Sequence, residues 1–198
     1  MNTLRPDELR RILSACLSNG QRKALHIDGF QRAAVLVPLV NNGSECTLLF
    51  TKRTETVETH KGQISFPGGV VDGTDTDPVH TALRETHEEI GISPGSVETL
   101  GLLDDIVTPV GFVITPVVGF LTLLPRVSPS DIEVAEVFQI PLSFFADPAN
   151  GRMEYREFRG RQQEVWFYDT GRHLIWGATA RIVRMVLEKA GVTHLPEQ

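Results

Sequence analysis

Glu85, Glu88 and Glu89 stand at i, i+3 and i+4, a spacing that gathers three carboxylates on one side of any helix that carries them. Like charges so placed destabilise a helix by about 0.2–0.5 kcal/mol per pair, and two of the three sit near the C-terminus, where the macrodipole also disfavours anions. Two readings follow. The patch is either a solvated acidic face or a site for a hard divalent cation, because magnesium and manganese prefer carboxylate oxygens and complete their shells with water and substrate phosphates. Immediately upstream, Phe66-Pro67-Gly68-Gly69 ends an apolar segment with two residues that lack a Cβ. That is either a plain turn or a place where backbone comes close to a ligand or a metal. A metal held there polarises a phosphoryl oxygen, lowers the pKa of bound water and neutralises charge on a leaving phosphate.

The elements that must position these groups follow from periodicity and caps. Asp77 as N-cap, Pro78 at the first helical position and Gly91 as terminator, with Pro94 soon after, predict a helix over 78–90. On it Val79, Ala82, Leu83, Thr86 and Ile90 share one inward stripe. Leu9, Ile12, Leu13, Cys16 and Leu17 recur at helical spacing after Asp7 and predict an amphipathic N-terminal helix closed by Asn19-Gly20. Apolar runs at 33–40 and 47–52, separated by Asn41-Asn42-Gly43-Ser44, read as a hairpin. Further strands are expected at 63–66, 97–103, 113–122, 134–140, 153–158 and 165–168, and a last helix at 175–189, with Ile182, Val183, Val186 and Leu187 facing a core. Many short strands with few helices predict an α+β sandwich, a mixed sheet clamped by helices.

The 198-residue chain is long enough for one domain with a full core, 41% hydrophobic and 22% charged. We expect a single domain over 1–198, with an N-terminal helical appendage at about 1–20. It shows no internal repeat or low-complexity tract. The start is polar, and the longest apolar stretch, 112–124, is broken by Thr115, Pro116, Gly119 and Thr122, which argues for a cytoplasmic protein without membrane contact. Cys16 and Cys46 read as buried, reduced thiols. The net charge of −6 argues against nucleic-acid binding. Its location is informative: between Gly68 and Ile92 six acids face one base, so this stretch holds −5 of the −6.

From Gly69 through Asp75 to Arg84-Glu85-Thr86-His87-Glu88-Glu89-Ile90-Gly91-Ile92 the chain resembles the Nudix hydrolase box, G-x5-E-x7-R-E-U-x-E-E-x-G-U. Asp75 stands where the first Glu belongs, eight residues before Arg84 instead of seven, and Thr86 replaces an aliphatic residue. The resemblance implies a Nudix-type α/β/α sandwich with a mixed sheet. It also implies Mg2+ or Mn2+ on Glu85, Glu88, Glu89 and the Gly69 carbonyl, with Arg84 orienting a neighbouring glutamate. The general base is left open between a helix glutamate and one outside the box, such as Glu133 or Glu136.

The segment Leu48-Leu49-Phe50-Thr51-Lys52-Arg53, with His60-Lys61-Gly62-Gln63-Ile64-Ser65-Phe66-Pro67-Gly68-Gly69, is similar to the signature of the coenzyme A pyrophosphatase branch of that family. Thr54 replaces the usual Ser or Ala, and Glu58 the usual Arg, His or Ser. The likeness continues through Asp104-Asp105, Gly111 to Pro116, Glu133 to Leu142 and Ile175 to Ala180. It implies cleavage of coenzyme A to 3′,5′-ADP and 4′-phosphopantetheine. Arg53, His60 and Lys61, beside Gly68 and Gly69, are the candidates for phosphate contacts. Trp176 either packs the core or lines the substrate groove, and the arginines at 152–161 alternate with acids as a solvated hairpin. Two alternatives stand beside this reading: a broader pyrophosphatase for ADP-ribose or NADH, with Pro109 keeping the first open, and a non-catalytic nucleotide-binding module. A small nucleotide substrate is the expected partner, and a homodimer is left open.

Overall fold

The side chains of two long apolar strands decide where the layers lie. The computed structural model describes residues 5–19, 22–54, 62–158 and 160–192. The chain runs through α1 (Pro6–Asn19), β1 (Gln31–Asn41), β2 (Cys46–Arg53), β3 (Ile64–Ser65), β4 (Gly68–Val70) and α2 (Pro78–Ile90). There follow β5 (Glu98–Leu102), β6 (Ile106–Val107), β7 (Phe112–Leu121), β8 (Val134–Pro141) and α3 (Leu142–Ala146). The described part ends with β9 (Gly151–Phe158), β10 (Arg161–Asp169), β11 (Leu174–Trp176) and α4 (Gly177–Lys189).

β1 and β2 form the expected hairpin, antiparallel with Leu39 opposite Leu48. β1 also runs parallel to β7, from Gln31 opposite Phe112 to Val40 opposite Leu121. Around this pair the main sheet takes the order β3-β2-β1-β7-β5, with β4 on β1, β6 on β7 and β8 on β2. Those other pairings are antiparallel, so the sheet is mixed, as predicted. A second, antiparallel sheet has the order β11-β10-β9.

Successive side chains of a strand point to opposite faces. Ala34, Leu36 and Val117 therefore share one face, where they pack with Ala82 of α2. Val37, Leu39, Val118 and Phe120 point the other way, into a cluster with Leu9 and Leu13 of α1 and Ile182, Val183 and Val186 of α4. Each fully buried aliphatic or Phe side chain contributes about 1.5–3 kcal/mol of transfer free energy, so burial on both faces holds the sheet between α2 on one side and α1 and α4 on the other. Among the described residues no helix is long and apolar enough to cross a membrane.

Three expectations need correction. Cys16 is exposed, because only Leu9 and Leu13 of the α1 stripe are buried; Cys46 is buried, and burial pushes its thiol up to about 12. The last helix begins at Gly177, and Ile175 instead belongs to β11, paired with Tyr168. Trp176 ends that strand with 46% of its surface exposed, stacked on Phe167, so it does not fill the core.

Candidate active site

α2 forms where the caps place it. The Asp77 side chain accepts from His80 N at 2.8 Å, and Gly91 turns out of the helix at φ 75° with its N–H on the His87 carbonyl. A left-handed C-cap of this kind suits glycine. Thr86, on the buried stripe, satisfies its hydroxyl by donating to the Ala82 carbonyl at 2.6 Å, which is how a polar residue fits where an aliphatic one is usual.

The glycine pair before the helix is forced by close approach. Gly68 lies at φ 153° against β1, where a Cβ would meet the Ala34 carbonyl and come within 2.9 Å of Val35 Cγ1. Gly69 faces Glu85: a Cβ there would stand 2.7 Å from Oε1. The Gly68 N–H donates to Glu89 Oε2 at 3.2 Å, and Arg53 Nη1 at the end of β2 lies 3.7 Å from Glu89 Oε1. The turn, the helix and β2 thus meet on one carboxylate.

That carboxylate is buried, with 5% of Glu89 exposed. Burial pushes it up to about 7, aided by the charges of Glu133 and Glu85 and opposed by the Gly68 N–H and Arg53. Burial also raises Glu85, against the pull of Arg84, and Glu88 and Glu133 add to the rise. Glu88 is exposed and accepts from Arg84 Nη1 at 3.1 Å. Glu133, reached through the Thr54 N–H bond to its carbonyl, is exposed and acts electrostatically on both inner glutamates. Glu136 is elsewhere engaged, with Arg172 Nη2 at 2.7 Å and His173 Nε2 at 3.2 Å.

Arg84 is the organiser. Its Nε and Nη2 donate to the two oxygens of Asp75, each at 2.9 Å, Nη1 donates to Glu85 Oε1 at 2.8 Å as well as to Glu88, and Nη2 also reaches the Val70 carbonyl at 3.3 Å. A bidentate guanidinium–carboxylate pair fixes direction as well as charge. Asp75, whose side chain is fully buried, takes further bonds from Thr81 Oγ1 and Asp72 N, and the Arg84 guanidinium holds its carboxyl well below the usual range. Asp75 in turn raises Arg84. The one-residue shift in the box therefore leaves this acid behind the site as the anchor of Arg84.

These residues suit a hard cation. Glu85 and Glu89 supply oxygen donors that burial raises above the usual carboxylate range, a cost that a divalent cation would relieve, and Gly69 leaves room at Glu85. Among the described residues no three His, Cys, Asp or Glu side chains stand gathered as a closed metal cage. Magnesium asks for less, taking one or two carboxylates and filling its shell with water and phosphate. For Glu88 to join, it must leave Arg84.

The NUDIX domain family matches residues 30–153, which span the hairpin, the glycine turn, α2 and the central strands. The chain belongs to the Nudix hydrolase family. It is 38% identical over 165 residues to a protein of Photorhabdus laumondii named uncharacterized Nudix hydrolase NudL, covering 83% of this chain and 88% of that one. A NudL of Escherichia coli O7:K1 is 39% identical over 166 residues, covering 82% and 84%. Among solved structures, the M. smegmatis Nudix hydrolase RenU gives a TM-score of 0.58 at 14% identity, covering 91% of this chain and 99% of that one. A MutT/nudix family protein of Enterococcus faecalis gives 0.56 at 18%, covering 86% and 66%. This Nudix hydrolase thus has the α+β family fold and acts on pyrophosphate bonds.

Of the site residues expected from sequence, Arg53, Gly68, Gly69, Arg84, Glu85 and Glu89 come together, and Glu88 stands at the edge. His60 and Lys61 lie outside the described residues, as does Glu58. Asp104 and Asp105 serve the N-terminal segment: Asp105 accepts from Arg22, Thr115 Oγ1 and Leu25 N, and Asp104 from Lys23 N. Thr179 was not singled out by sequence reading, yet its hydroxyl donates to the Ile64 carbonyl at 3.1 Å and ties the first turn of α4 to the strand that enters the glycine turn. The run Ile175 to Ala180 held the only signal for it.

Proposed function

We propose that this Nudix hydrolase cleaves coenzyme A or its derivatives to 3′,5′-ADP and 4′-phosphopantetheine, by water attack on the pyrophosphate. One observation carries the reading. The first part of the coenzyme A branch signature runs along β2 to Arg53 and its last residues are Gly68 and Gly69; Arg53 lies 3.7 Å from Glu89, the innermost acid of the box helix, and the Gly68 N–H donates to the same carboxylate. The residues that distinguish the branch and those that define the family therefore share one site.

In this reading Glu85 and Glu89 hold Mg2+ or Mn2+, with the Gly69 carbonyl as a further ligand and Glu88 recruited from Arg84. The ion supplies Lewis acidity, polarising a phosphoryl oxygen and lowering the pKa of bound water. Arg84 keeps the Glu85 carboxylate turned inward while Asp75 holds Arg84 from behind. Arg53 pairs with an anionic phosphoryl oxygen and leaves Glu89 its place against the Gly68 N–H. Glu133 accepts the proton of the attacking water on its carboxylate. Its exposure gives it access, and its field already reaches both inner glutamates, whereas Glu136 is held by Arg172 and His173.

A substrate panel tests the proposal: coenzyme A, dephospho-coenzyme A, ADP-ribose and NADH, each with magnesium and with manganese, products resolved by chromatography. Coenzyme A should give the highest kcat/KM and yield 3′,5′-ADP. A clear preference for ADP-ribose or NADH overturns the substrate, and tight coenzyme A binding with no product under either metal overturns the catalysis.

A further inference from the structure

The hairpin of β9 and β10 takes no part in the pyrophosphatase site, and its outer strand borders solvent. Among the described residues β9 has β10 on one side and no strand on the other. It runs for 8 residues without a bulge, from Gly151 opposite Tyr168 to Phe158 opposite Arg161. Tyr155, Arg156, Glu157 and Phe158 are all exposed, and Tyr155 shows 59% of its surface in mid-strand. Edge strands are ordinarily kept short, bent by a bulge, or guarded by lysine or proline, because their free N–H and C=O groups pair readily with another strand. β9 carries none of these guards.

Its charges instead match themselves. Side chains alternate between faces, so Arg152, Glu154 and Arg156 share one face, where Glu154 accepts from Arg152 Nε and from Arg156 Nη2, each at 3.0 Å. Exposed ion pairs of this kind contribute little and can be exchanged for others at little cost. When two copies of β9 are set antiparallel, a slip of one residue turns the faces of one copy over. Two in-phase registers then use nearly the whole strand. The one centred on Glu154 pairs residues 151–157 and sets Glu154 on Glu154 and Arg152 on Arg156, like charge on like. The one centred on Tyr155 pairs residues 152–158 and sets Glu154 on Arg156, Arg156 on Glu154 and Tyr155 on Tyr155. Opposite charges and aromatic pairs directly across a ladder stabilise it, and like charges do the reverse. The charge pattern thus selects one register, and does so because the second strand has the same sequence.

We infer that β9 is the contact surface of a symmetric dimer: it pairs antiparallel with β9 of a second copy about a two-fold axis at Tyr155, joining the two three-stranded sheets into one. A two-fold contact needs a self-complementary patch, which this strand has and a strand of an unrelated protein would match only by chance. The contact uses no residue of the pyrophosphatase site, so the dimer and the substrate assignment are tested apart.

Sedimentation of the intact protein over a range of concentrations tests it. The wild type should form a reversible dimer. Glu154→Arg puts two like-charged pairs into the contact and should weaken association by about tenfold or more, and Arg156→Glu should do the same. The double variant Glu154→Arg/Arg156→Glu exchanges the charges and should restore the dimer. Cys16 is exposed, so cross-linking is read in a Cys16→Ser background. There Tyr155→Cys should give a disulfide-linked dimer on mild oxidation, since opposed residues of a ladder have Cα atoms about 4.5–5.5 Å apart, within disulfide reach. Glu157→Cys, about 14 Å from its own copy in this register, should not. Should a charge variant fail to fold, the two cysteine variants still decide. A monomer at every concentration overturns the proposal, as does a dimer that both single charge variants leave intact or that the double variant fails to restore. Cross-linking through Glu157→Cys and not through Tyr155→Cys overturns it as well.

Discussion

Gly69→Ala separates the chemistry of this site from its folding. No left-handed backbone angle constrains Gly69, so alanine is tolerated by the main chain. What the new Cβ meets is the Glu85 carboxyl, with Oε1 at 2.7 Å and Cδ and Oε2 nearer still, where ordinary contact begins at 3.4 Å. The carboxylate is the far end of a flexible side chain and must retreat by about 1 Å, a misplacement that typically costs about 100-fold in rate when it touches a reacting group. Stability should change by less than about 1 kcal/mol, because the three atoms nearest the new Cβ all belong to the end of the Glu85 side chain. Steady-state hydrolysis of the preferred pyrophosphate substrate at saturating magnesium, with Tm measured in parallel, gives both numbers. Gly68→Ala is the contrast: there the Cβ strikes β1 backbone at a left-handed angle, so folding itself should suffer. If Gly69→Ala keeps the wild-type kcat, the close approach of Glu85 to this turn has no bearing on catalysis and the site geometry has been misjudged.

Two further outcomes are expected. Glu89 has its folded pKa raised, from an ordinary 4.5 to about 7, so the folded state binds the extra proton and stability should fall as pH rises from about 4.5 through 7 in metal-free protein. The shift corresponds to about 3 kcal/mol, and urea titrations at pH 5 and 8 should show a loss of that order, removed by Glu89→Gln and reduced by magnesium. A flat profile in the wild type sinks the argument. Asp75→Asn breaks the buried side of the Arg84 pair, for which about 3 kcal/mol is the expected loss, and it should also lower kcat through the misdirected Glu85. An unchanged urea midpoint contradicts the anchoring role.

What was legible in the sequence was whatever local chemistry determines. The bounds of α2 followed from Asp77, Pro78 and Gly91, each of which acts within one helical turn. The β1–β2 hairpin followed from two apolar runs around a polar turn. The two- and three-residue strands β4, β6 and β11 carry too few side chains for a periodic pattern and exist only because a partner strand is present. The role of Asp75 was hidden for a related reason: a loop of Asp72, Thr74 and Asp75 hydrogen bonds carries it under Arg84, and spacing along the chain does not measure that distance. Glu133 and Glu136 looked alike as candidate bases. They differ in their surroundings, which include Arg172 and His173 from a distant segment of the chain.

The parallel ladder between β1 and β7 has a consequence for how the molecule comes into being. Its partners, from Gln31 with Phe112 to Val40 with Leu121, are separated by most of the segment that carries the glycine turn and α2. Closing so long a loop is entropically costly and slow relative to helix formation. On a ribosome, the acidic helix is synthesised before the strand that completes its sheet, so the full face that buries Ala82 against Ala34, Leu36 and Val117 exists only after β7 has emerged. Nascent chains that stop short of β7 therefore lack Val117 from the face on which α2 packs, while β1 and β4, the latter carrying Gly68, are already made.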